Sequence, residues 1–144
     1  MARILVVDDL PGMRAIATVV LRSAGHEVET AAGGREALER IEDQPPDLVL
    51  LDLDMPEVDG FKVLESLCVR GLRPPMPVII FSAVDDARSL LRAAELGAAG
   101  FITKRGADAF TLRQEIERHV RTSRGSRNAC QEHGPRSSGQ QFSN

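Results

Sequence analysis

Residues 46–60 read Pro-Asp-Leu-Val-Leu-Leu-Asp-Leu-Asp-Met-Pro-Glu-Val-Asp-Gly, and this stretch decides the fold. The four apolar residues from Leu48 to Leu51 are too few for an ordinary helix and are bounded by prolines. Such a run indicates a strand that is buried on both faces, as in a parallel sheet. Asp52 follows at the carboxyl end of this strand, where open α/β sheets place their ligand sites. Pro56 and Asp59-Gly60 then turn the chain away from the sheet.

Four further strand patterns alternate with segments of helical periodicity along the chain. The predicted strands are residues 4–7, 26–31, 48–51, 78–81 and 98–103. The predicted helices begin near Pro11, Arg35, Gly60, Asp85 and Ala107, and the last one ends near Arg121. This alternation predicts right-handed βαβ units and a parallel five-stranded sheet with helices on both faces. Residues 26–31 are the most polar of the strand patterns and are expected to form a sheet edge.

Several helices carry apolar stripes that we expect to face the core. These stripes include Ile16, Ala17 and Leu21 in the first helix, Ala87, Leu90, Leu91 and Ala94 in the fourth, and Ala109, Leu112, Ile116 and Val120 in the fifth. The histidines are scattered along the chain and form no metal or catalytic set. We therefore expect them to lie on the surface, at His26, His119 and His133.

Polar side chains stand at the carboxyl ends of four predicted strands. They are Asp8 and Asp9 after the first strand, Asp52 after the third, Ser82 after the fourth and Lys104 after the fifth. Three crowded carboxylates repel one another unless a cation lies among them, and Mg²⁺ prefers such hard oxygen ligands. A lysine and a hydroxyl are suited to contact phosphoryl oxygens. The constellation therefore predicts an aspartyl phosphate, a known form of carboxylate nucleophilic catalysis.

In this order and spacing, Asp8-Asp9, LVLLDLDMPEVDG, IIFSA and GFITK resemble the receiver domains of two-component response regulators over about residues 2–121. The resemblance implies a doubly wound (βα)5 flavodoxin-like fold with strand order 2-1-3-4-5. It also implies a signalling switch, not an enzyme with a separate substrate. A histidine kinase or phosphotransfer protein would supply the phosphoryl group, and a downstream protein target or a missing output domain would read the result.

The resemblance further implies a role for each acid. Asp52 would be the phosphoacceptor. Asp9 and Asp52 would bind Mg²⁺ directly, together with the backbone carbonyl of Asp54, while Asp8 would act mainly through water.

The remaining site residues follow the family in part. By the same resemblance, Ser82 and Lys104 would hold the phosphoryl group, and Phe101 would turn inward when Ser82 is drawn toward the phosphate. Phe101 stands where tyrosine is more common. Arg105 follows the lysine where the family usually has a proline joined by a cis bond, and a cis bond to a non-proline residue costs about 2.5–4 kcal/mol.

Two other functions fit parts of the sequence. The segment from Leu51 to Asp54 satisfies the Asp-x-Asp core of haloacid-dehalogenase-like phosphatases, but Met55-Pro56 stands where that family has threonine or valine. The second alternative is a receiver-like interaction module that has lost phosphorylation. The retention of all five site residues opposes it.

Composition limits the partners and the location. A net charge of -3 and an aromatic content of 3%, with no Trp or Tyr, give no reason to expect nucleic-acid binding. No window approaches the roughly 18 apolar residues of a membrane span. The N-terminus lacks the apolar region of a signal peptide, and Cys68 and Cys130 form no metal or redox pattern. We therefore expect a cytoplasmic protein.

The domain organisation is expected to be simple. Residues 1–122 would form the receiver domain, and residues 123–144, rich in Gly, Ser, Gln, Asn and Arg, would be a disordered polar tail or linker. By resemblance, a homodimer would form through the fourth helix, the fifth strand and the fifth helix.

Overall fold

A computed structural model of the chain describes residues 2–71 and 76–120. The strands are β1 (Arg3–Val7), β2 (Glu27–Ala31), β3 (Leu48–Leu51), β4 (Val78–Ser82) and β5 (Gly100–Thr103). The helices are α1 (Pro11–Ser23), α2 (Gly34–Asp43), α3 (Gly60–Arg70), α4 (Ala87–Glu95) and α5, which is described over residues 109–120. The predicted domain boundary at residue 122 and the predicted tail over residues 123–144 lie outside the described residues.

The five strands form one parallel sheet in the order β2-β1-β3-β4-β5, which confirms the predicted topology and the edge position of β2. The register pairs Val7 with Leu51 and Ser82 with Thr103. Parallel strands in such a register end at the same edge of the sheet. The residues that follow them at this edge are Asp8, Asp52 and Lys104.

Two apolar layers cover the faces of the sheet. Helices α2, α3 and α4 pack on one face, and α1 and α5 pack on the other. In β3, Val49 and Leu51 point into the first layer, whereas Leu48 and Leu50 point into the second. All four are buried, which explains why this strand is a continuous apolar run instead of an alternating one.

The predicted core face is wrong in parts of three helices. Ile16 in α1 and Leu91 in α4 are 57% and 62% exposed. The other exposed members of the predicted stripes are Ala87 and Ala94 in α4 and Ala109 in α5. The buried residue of α4 is Ala93, which the predicted stripe had left out. Apolar periodicity identifies a face of a helix but does not tell whether that face meets the sheet or the solvent.

The surface position predicted for the histidines is wrong for His26, which is 6% exposed. Its Nδ1 accepts the backbone N–H of Ala2 at 3.1 Å, and its Nε2 lies 2.6 Å from Oε2 of Glu117 in α5. His119 is half-buried, and His133 lies outside the described residues. His26, with both ring nitrogens paired, therefore links the start of the sheet to α5 through hydrogen bonds.

Local signals set the helix ends. The Asp59 carboxylate accepts the backbone N–H of Lys62 at 3.0 Å at the start of α3, and Gly71 ends that helix with a left-handed φ of 71°. At α4 the capping carboxylate is that of Asp86, one residue after the predicted helix start at Asp85, and it accepts the backbone N–H of Ser89 at 3.0 Å. Within the described ranges, no helix is long and apolar enough to span a bilayer.

Gly60→Ala is expected to lower the free energy of unfolding by about 1–3 kcal/mol, the usual cost of overpacking. A Cβ at this position would lie 2.5 Å from the carbonyl oxygen of Asp52 and 2.7 Å from Cα of Leu53, so backbone must move. Gly12→Ala is the matched control, because nothing lies within 4 Å of its added Cβ inside α1 and alanine favours a helix. Urea unfolding followed by circular dichroism compares the two variants. Equal midpoints would contradict the close packing of Gly60.

Candidate functional site

Three carboxylates meet where β1 and β3 end. Asp8 and Asp52 are 2% and 4% exposed, and Asp9 is half-buried. Their backbone continues the sheet by one residue, since the N–H of Asp8 donates to the carbonyl of Ala31 at 3.1 Å and that of Asp52 to the carbonyl of Val7 at 3.0 Å. One carboxylate oxygen from each of Asp8, Asp9 and Asp52 lies within 4.8 Å of the other two. The sheet register thus brings together the acids that the sequence analysis singled out.

Lys104 joins two of these acids from the end of β5. Its Nζ lies 2.7 Å from Oδ2 of Asp8 and 3.2 Å from Oδ2 of Asp52, and its side chain is 13% exposed. The backbone N–H of Lys104 donates to the carbonyl of Ser82 at 2.9 Å, which fixes the start of the side chain. A nearly buried ammonium therefore bridges two buried carboxylates.

The surroundings shift the pKa of two groups. Burial raises the pKa of Asp8, and the negative charge of Asp52 adds to this rise, although hydrogen bonds from Lys104 and from the Leu10 amide oppose it. Burial alone would lower the pKa of Lys104, but its hydrogen bonds and charge attraction to Asp8 and Asp52 outweigh burial, so its pKa lies above the ordinary value. Lys104 is therefore charged at neutral pH. One cation among three acids leaves the pocket with excess negative charge.

Asp8→Asn is expected to stabilise the metal-free protein at neutral pH. Because the folded protein holds the Asp8 proton more tightly than the unfolded chain, ionised Asp8 costs stability. This cost is absent below the unfolded pKa of about 3.9, grows as the pH rises toward the higher folded pKa, and is complete above it. The gain in the melting temperature should therefore be larger at neutral pH than near pH 4.

Thermal unfolding in a chelator at both pH values measures this gain. Asp43→Asn is the control, because Asp43 is an exposed acid at the end of α2. A gain that is the same at both pH values would contradict the assigned cause.

The other predicted residues surround the acids. Ser82 is 1% exposed at the end of β4, and its Oγ accepts the backbone N–H of Val84 at 3.2 Å. Asp54 is exposed, and its N–H donates to Oδ1 of Asp52 at 3.3 Å. Phe101 is 38% exposed in β5 and borders a cavity of about 220 Å³. The structure gives the positions of Ser82, Asp54 and Phe101, and their roles in phosphorylation stay predictions.

Arg105 uses its backbone in a way that proline cannot. Its N–H donates to Oγ1 of Thr103 at 3.3 Å, whereas proline has no N–H to donate. Its guanidinium lies 3.9 Å from Oδ2 of Asp85 and is largely exposed. The departure from the family pattern therefore adds a local hydrogen bond to the loop after Lys104.

Arg14 also reaches the site, although it was not among the predicted site residues. Its Nη1 donates to the backbone carbonyl of Asp8 at 2.7 Å, so a residue of α1 reaches the turn that carries the first two acids. An arginine on an amphipathic helix is usually a solvated residue, and nothing in its spacing distinguished it.

The site residues fit a divalent cation. Three carboxylates with oxygens inside 4.8 Å form the hard-oxygen set that Mg²⁺ takes, and two of these acids are buried. Lys104 neutralises only part of their charge. A divalent cation would remove most of the remaining repulsion.

Comparison with known proteins agrees with this geometry. Residues 4–117 match the family described as the response regulator receiver domain. A protein-glutamate methylesterase/protein-glutamine glutaminase of Archaeoglobus fulgidus is 40% identical over 124 residues, covering 82% of this chain and 35% of that protein. The transcriptional regulatory protein KdpE of Mycobacterium tuberculosis is 38% identical over 114 residues, covering 78% of this chain and 49% of that protein. The chain thus spans less than half the length of these two relatives.

Solved structures of single receivers match nearly end to end. The chemotaxis protein CheY4 of Vibrio cholerae superposes with a TM-score of 0.76 at 30% identity, covering 82% of this chain and 98% of that chain. A CheY-like receiver domain protein of Methanospirillum hungatei gives a TM-score of 0.81 at 28% identity, covering 88% and 98%. The chain therefore belongs to the receiver-domain family of response regulators, the signalling proteins of two-component phosphorelays.

Proposed function

We propose that this receiver domain accepts a phosphoryl group on Asp52. The observation that carries the proposal is the buried bridge from Lys104 to Asp8 and Asp52, at 2.7 and 3.2 Å. An ammonium held against the acceptor is already placed to contact a phosphoryl oxygen, so little reorganisation is needed when the group arrives. A role in stability alone would not explain why three buried or half-buried acids lie together here, because such crowding costs energy.

The proposed transfer is a displacement at phosphorus. A carboxylate oxygen of Asp52 attacks the phosphorus of the donor, which is a phosphohistidine of a kinase or phosphotransfer protein, or a small acyl phosphate. A phosphorus–oxygen bond forms, and the bond from phosphorus to the donor nitrogen or oxygen breaks. Its electron pair remains on the leaving group, and a leaving imidazole takes up a proton from water. Lys104 and Ser82 contact the phosphoryl oxygens during the transfer.

Mg²⁺ is the proposed cofactor. Asp9, Asp52 and the backbone carbonyl of Asp54 would hold it directly, with Asp8 acting through water. When bound, it offsets the repulsion between the acids and the incoming phosphoryl oxygens. The excess of carboxylates over Lys104 supports this assignment.

In the proposed switch, movement of the Ser82 side chain is coupled to a rotation of the Phe101 ring. The Ser82 hydroxyl accepts from Val84 in the present structure, so its turn toward a phosphoryl oxygen would pull on the segment that leads to α4. Phe101 borders a cavity of about 220 Å³ that is also lined by Ile80, Val84 and Leu90, and this space suits its ring. Phosphorylation would shift the population toward the inward ring.

The proposed output surface is the face formed by α4, β5 and α5. Helix α4 buries only Ala93, so it can move with little loss of packing. Leu91 and Phe110 are 62% and 65% exposed on the helices of this face. A downstream protein, a further domain or a second copy of the chain would bind there. The curated relatives extend beyond the matched region, so the output of the whole protein is a proposal. We expect this domain to act by contact with protein and not to bind nucleic acid.

The alternatives are less well supported. A haloacid-dehalogenase-like phosphatase would need Asp54 as its acid, but Asp54 is exposed beside the buried Asp52, and the family match favours a receiver. A module that has lost phosphorylation would have no need to keep Asp9, Ser82 and Lys104 around the acceptor.

Intact-mass spectrometry after incubation with acetyl phosphate tests the proposed function. We expect a gain of one phosphoryl group in Mg²⁺ and no gain in excess chelator, because the uncompensated acids repel the donor. The gain should be lost slowly in Mg²⁺ buffer without donor. Many turnovers of phosphate release from phosphomonoesters would point to the phosphatase instead. No adduct on a folded protein would point to the interaction module.

A further inference from the structure

Arg14 connects α1 to the backbone between the first two acids. Its guanidinium donates from Nη1 to the carbonyl oxygen of Asp8 at 2.7 Å, and its side chain is half-buried. The same turn is held on its other side, because Oδ1 of Asp8 accepts the N–H of Leu10 at 3.0 Å. Two hydrogen bonds thus fix the three residues from Asp8 to Leu10.

The carbonyl that Arg14 binds belongs to the peptide unit between Asp8 and Asp9. A peptide unit is planar, so a donor that fixes its carbonyl also fixes the direction of the bond to the next Cα. Arg14 therefore constrains the position of the Asp9 Cα, from which the carboxylate extends. A hydrogen bond from a charged donor is short and roughly twice as strong as a neutral one.

Orientation matters more for Asp9 than for the two buried acids. Asp8 and Asp52 are held by the sheet and by Lys104, whereas Asp9 lies one residue beyond the ladder and is half-buried. Mg²⁺ demands near-octahedral geometry, so a misplaced ligand lowers its affinity sharply. Of the three acids, Asp9 is the one that the fold itself constrains least.

We propose that Arg14 is a positioning residue for divalent cation binding: it fixes the Asp8–Asp9 peptide and so holds the Asp9 carboxylate beside Asp52. The inference rests on the proposed function and names a residue that this function does not assign. Arg14 acts through the backbone and touches neither the cation nor the phosphoryl group.

The sign of the effect separates this role from a simple charge effect. Removing a positive charge near a cation site should strengthen cation binding if charge were the whole contribution of Arg14. Removing a positioning hydrogen bond should weaken cation binding instead, and loss of an outer partner of a metal site typically costs about 10–100-fold in affinity. The two roles predict opposite shifts.

The test measures Mn²⁺ binding by electron paramagnetic resonance of the free ion, with Mg²⁺ in competition, since both ions take carboxylate and carbonyl oxygens. The variants are Arg14→Met, Arg14→Lys and the control Arg22→Met. Arg22 lies in the last turn of the same helix and also donates to a backbone carbonyl, that of Val28 at 3.2 Å, but far from the acids in sequence and at the other helix end. Asp9→Asn defines the signal that belongs to the site.

We expect the dissociation constant to rise about tenfold in Arg14→Met, to rise less in Arg14→Lys, and to stay unchanged in Arg22→Met. At saturating Mg²⁺ the rate of phosphorylation by acetyl phosphate should remain near that of the wild type, because the reacting groups are intact. Tighter or unchanged Mn²⁺ binding in both Arg14 variants would overturn the inference, as would an equal loss in Arg22→Met. If the wild-type chain bound Mn²⁺ without being phosphorylated, the proposed function would fail while the role of Arg14 stood.

Discussion

Asp52→Asn is expected to abolish the phosphoryl gain from acetyl phosphate. Asparagine keeps the shape of the side chain and an oxygen that can accept from Lys104, but it has no anionic oxygen to attack phosphorus. Asp52 is 4% exposed at the carboxyl end of β3, so the exchange also removes one of the crowded charges. The variant should therefore fold at least as stably as the wild type in the absence of metal.

The matched control for this experiment is Asp43→Asn, which changes an exposed acid at the end of α2. It should be phosphorylated at the wild-type rate. Intact mass and circular dichroism on the same samples separate loss of the acceptor from loss of the fold. Continued stoichiometric phosphorylation of a folded Asp52→Asn variant would place the acceptor elsewhere.

Lys104→Met is expected to lower the rate of phosphorylation by about 10²–10³-fold, the usual cost of removing one preorganised donor to developing charge. Methionine keeps much of the length and apolar volume of the lysine stem but cannot contact a phosphoryl oxygen. Lys62→Met is the control, because Lys62 is the other lysine of the chain and is exposed on α3. That variant should react as the wild type does.

Cation binding separates the two contributions of Lys104. Removing the ammonium leaves Asp8 and Asp52 without their bridge, so the pocket becomes more negative and should bind Mg²⁺ more tightly. Because the lost contact is the one to the phosphoryl group, the rate of phosphorylation should stay low even at saturating Mg²⁺. A rate that recovers fully when Mg²⁺ is raised would show that Lys104 acts only on the cation, and that result would contradict its assigned contact with the phosphoryl group.

The fold was predictable from the sequence because its strands are short, apolar and covered on both faces. Leu48 to Leu51 could hardly be a helix, and the strand has these same bounds in the structure. The convergence of Asp8 and Asp52 also followed from topology, since the carboxyl ends of parallel strands share one edge of the sheet. For these features, local pattern and global fold agree.

Other features depend on contacts that are distant in sequence. The buried face of α4 is set by how Ala93 meets the rest of the core, and not by the leucines that dominate its apolar pattern. His26 is buried because Glu117, from α5, supplies a partner at 2.6 Å. Arg14 reaches Asp8 through a side-chain conformation that no spacing rule specifies. Each of these depends on tertiary geometry that overrides a local preference.

Reduction of the phosphorylated protein with borohydride, followed by peptide mass mapping, tests the acceptor most directly. Borohydride reduces an acyl phosphate to an alcohol and leaves free carboxylates unchanged, so an aspartyl phosphate becomes homoserine at its own position. Phosphorylation of Asp52 predicts homoserine at position 52 after treatment with acetyl phosphate and Mg²⁺, and none after treatment in chelator. Homoserine at position 8, 9 or 54, or its absence from protein that has gained a phosphoryl group, would contradict the proposed transfer.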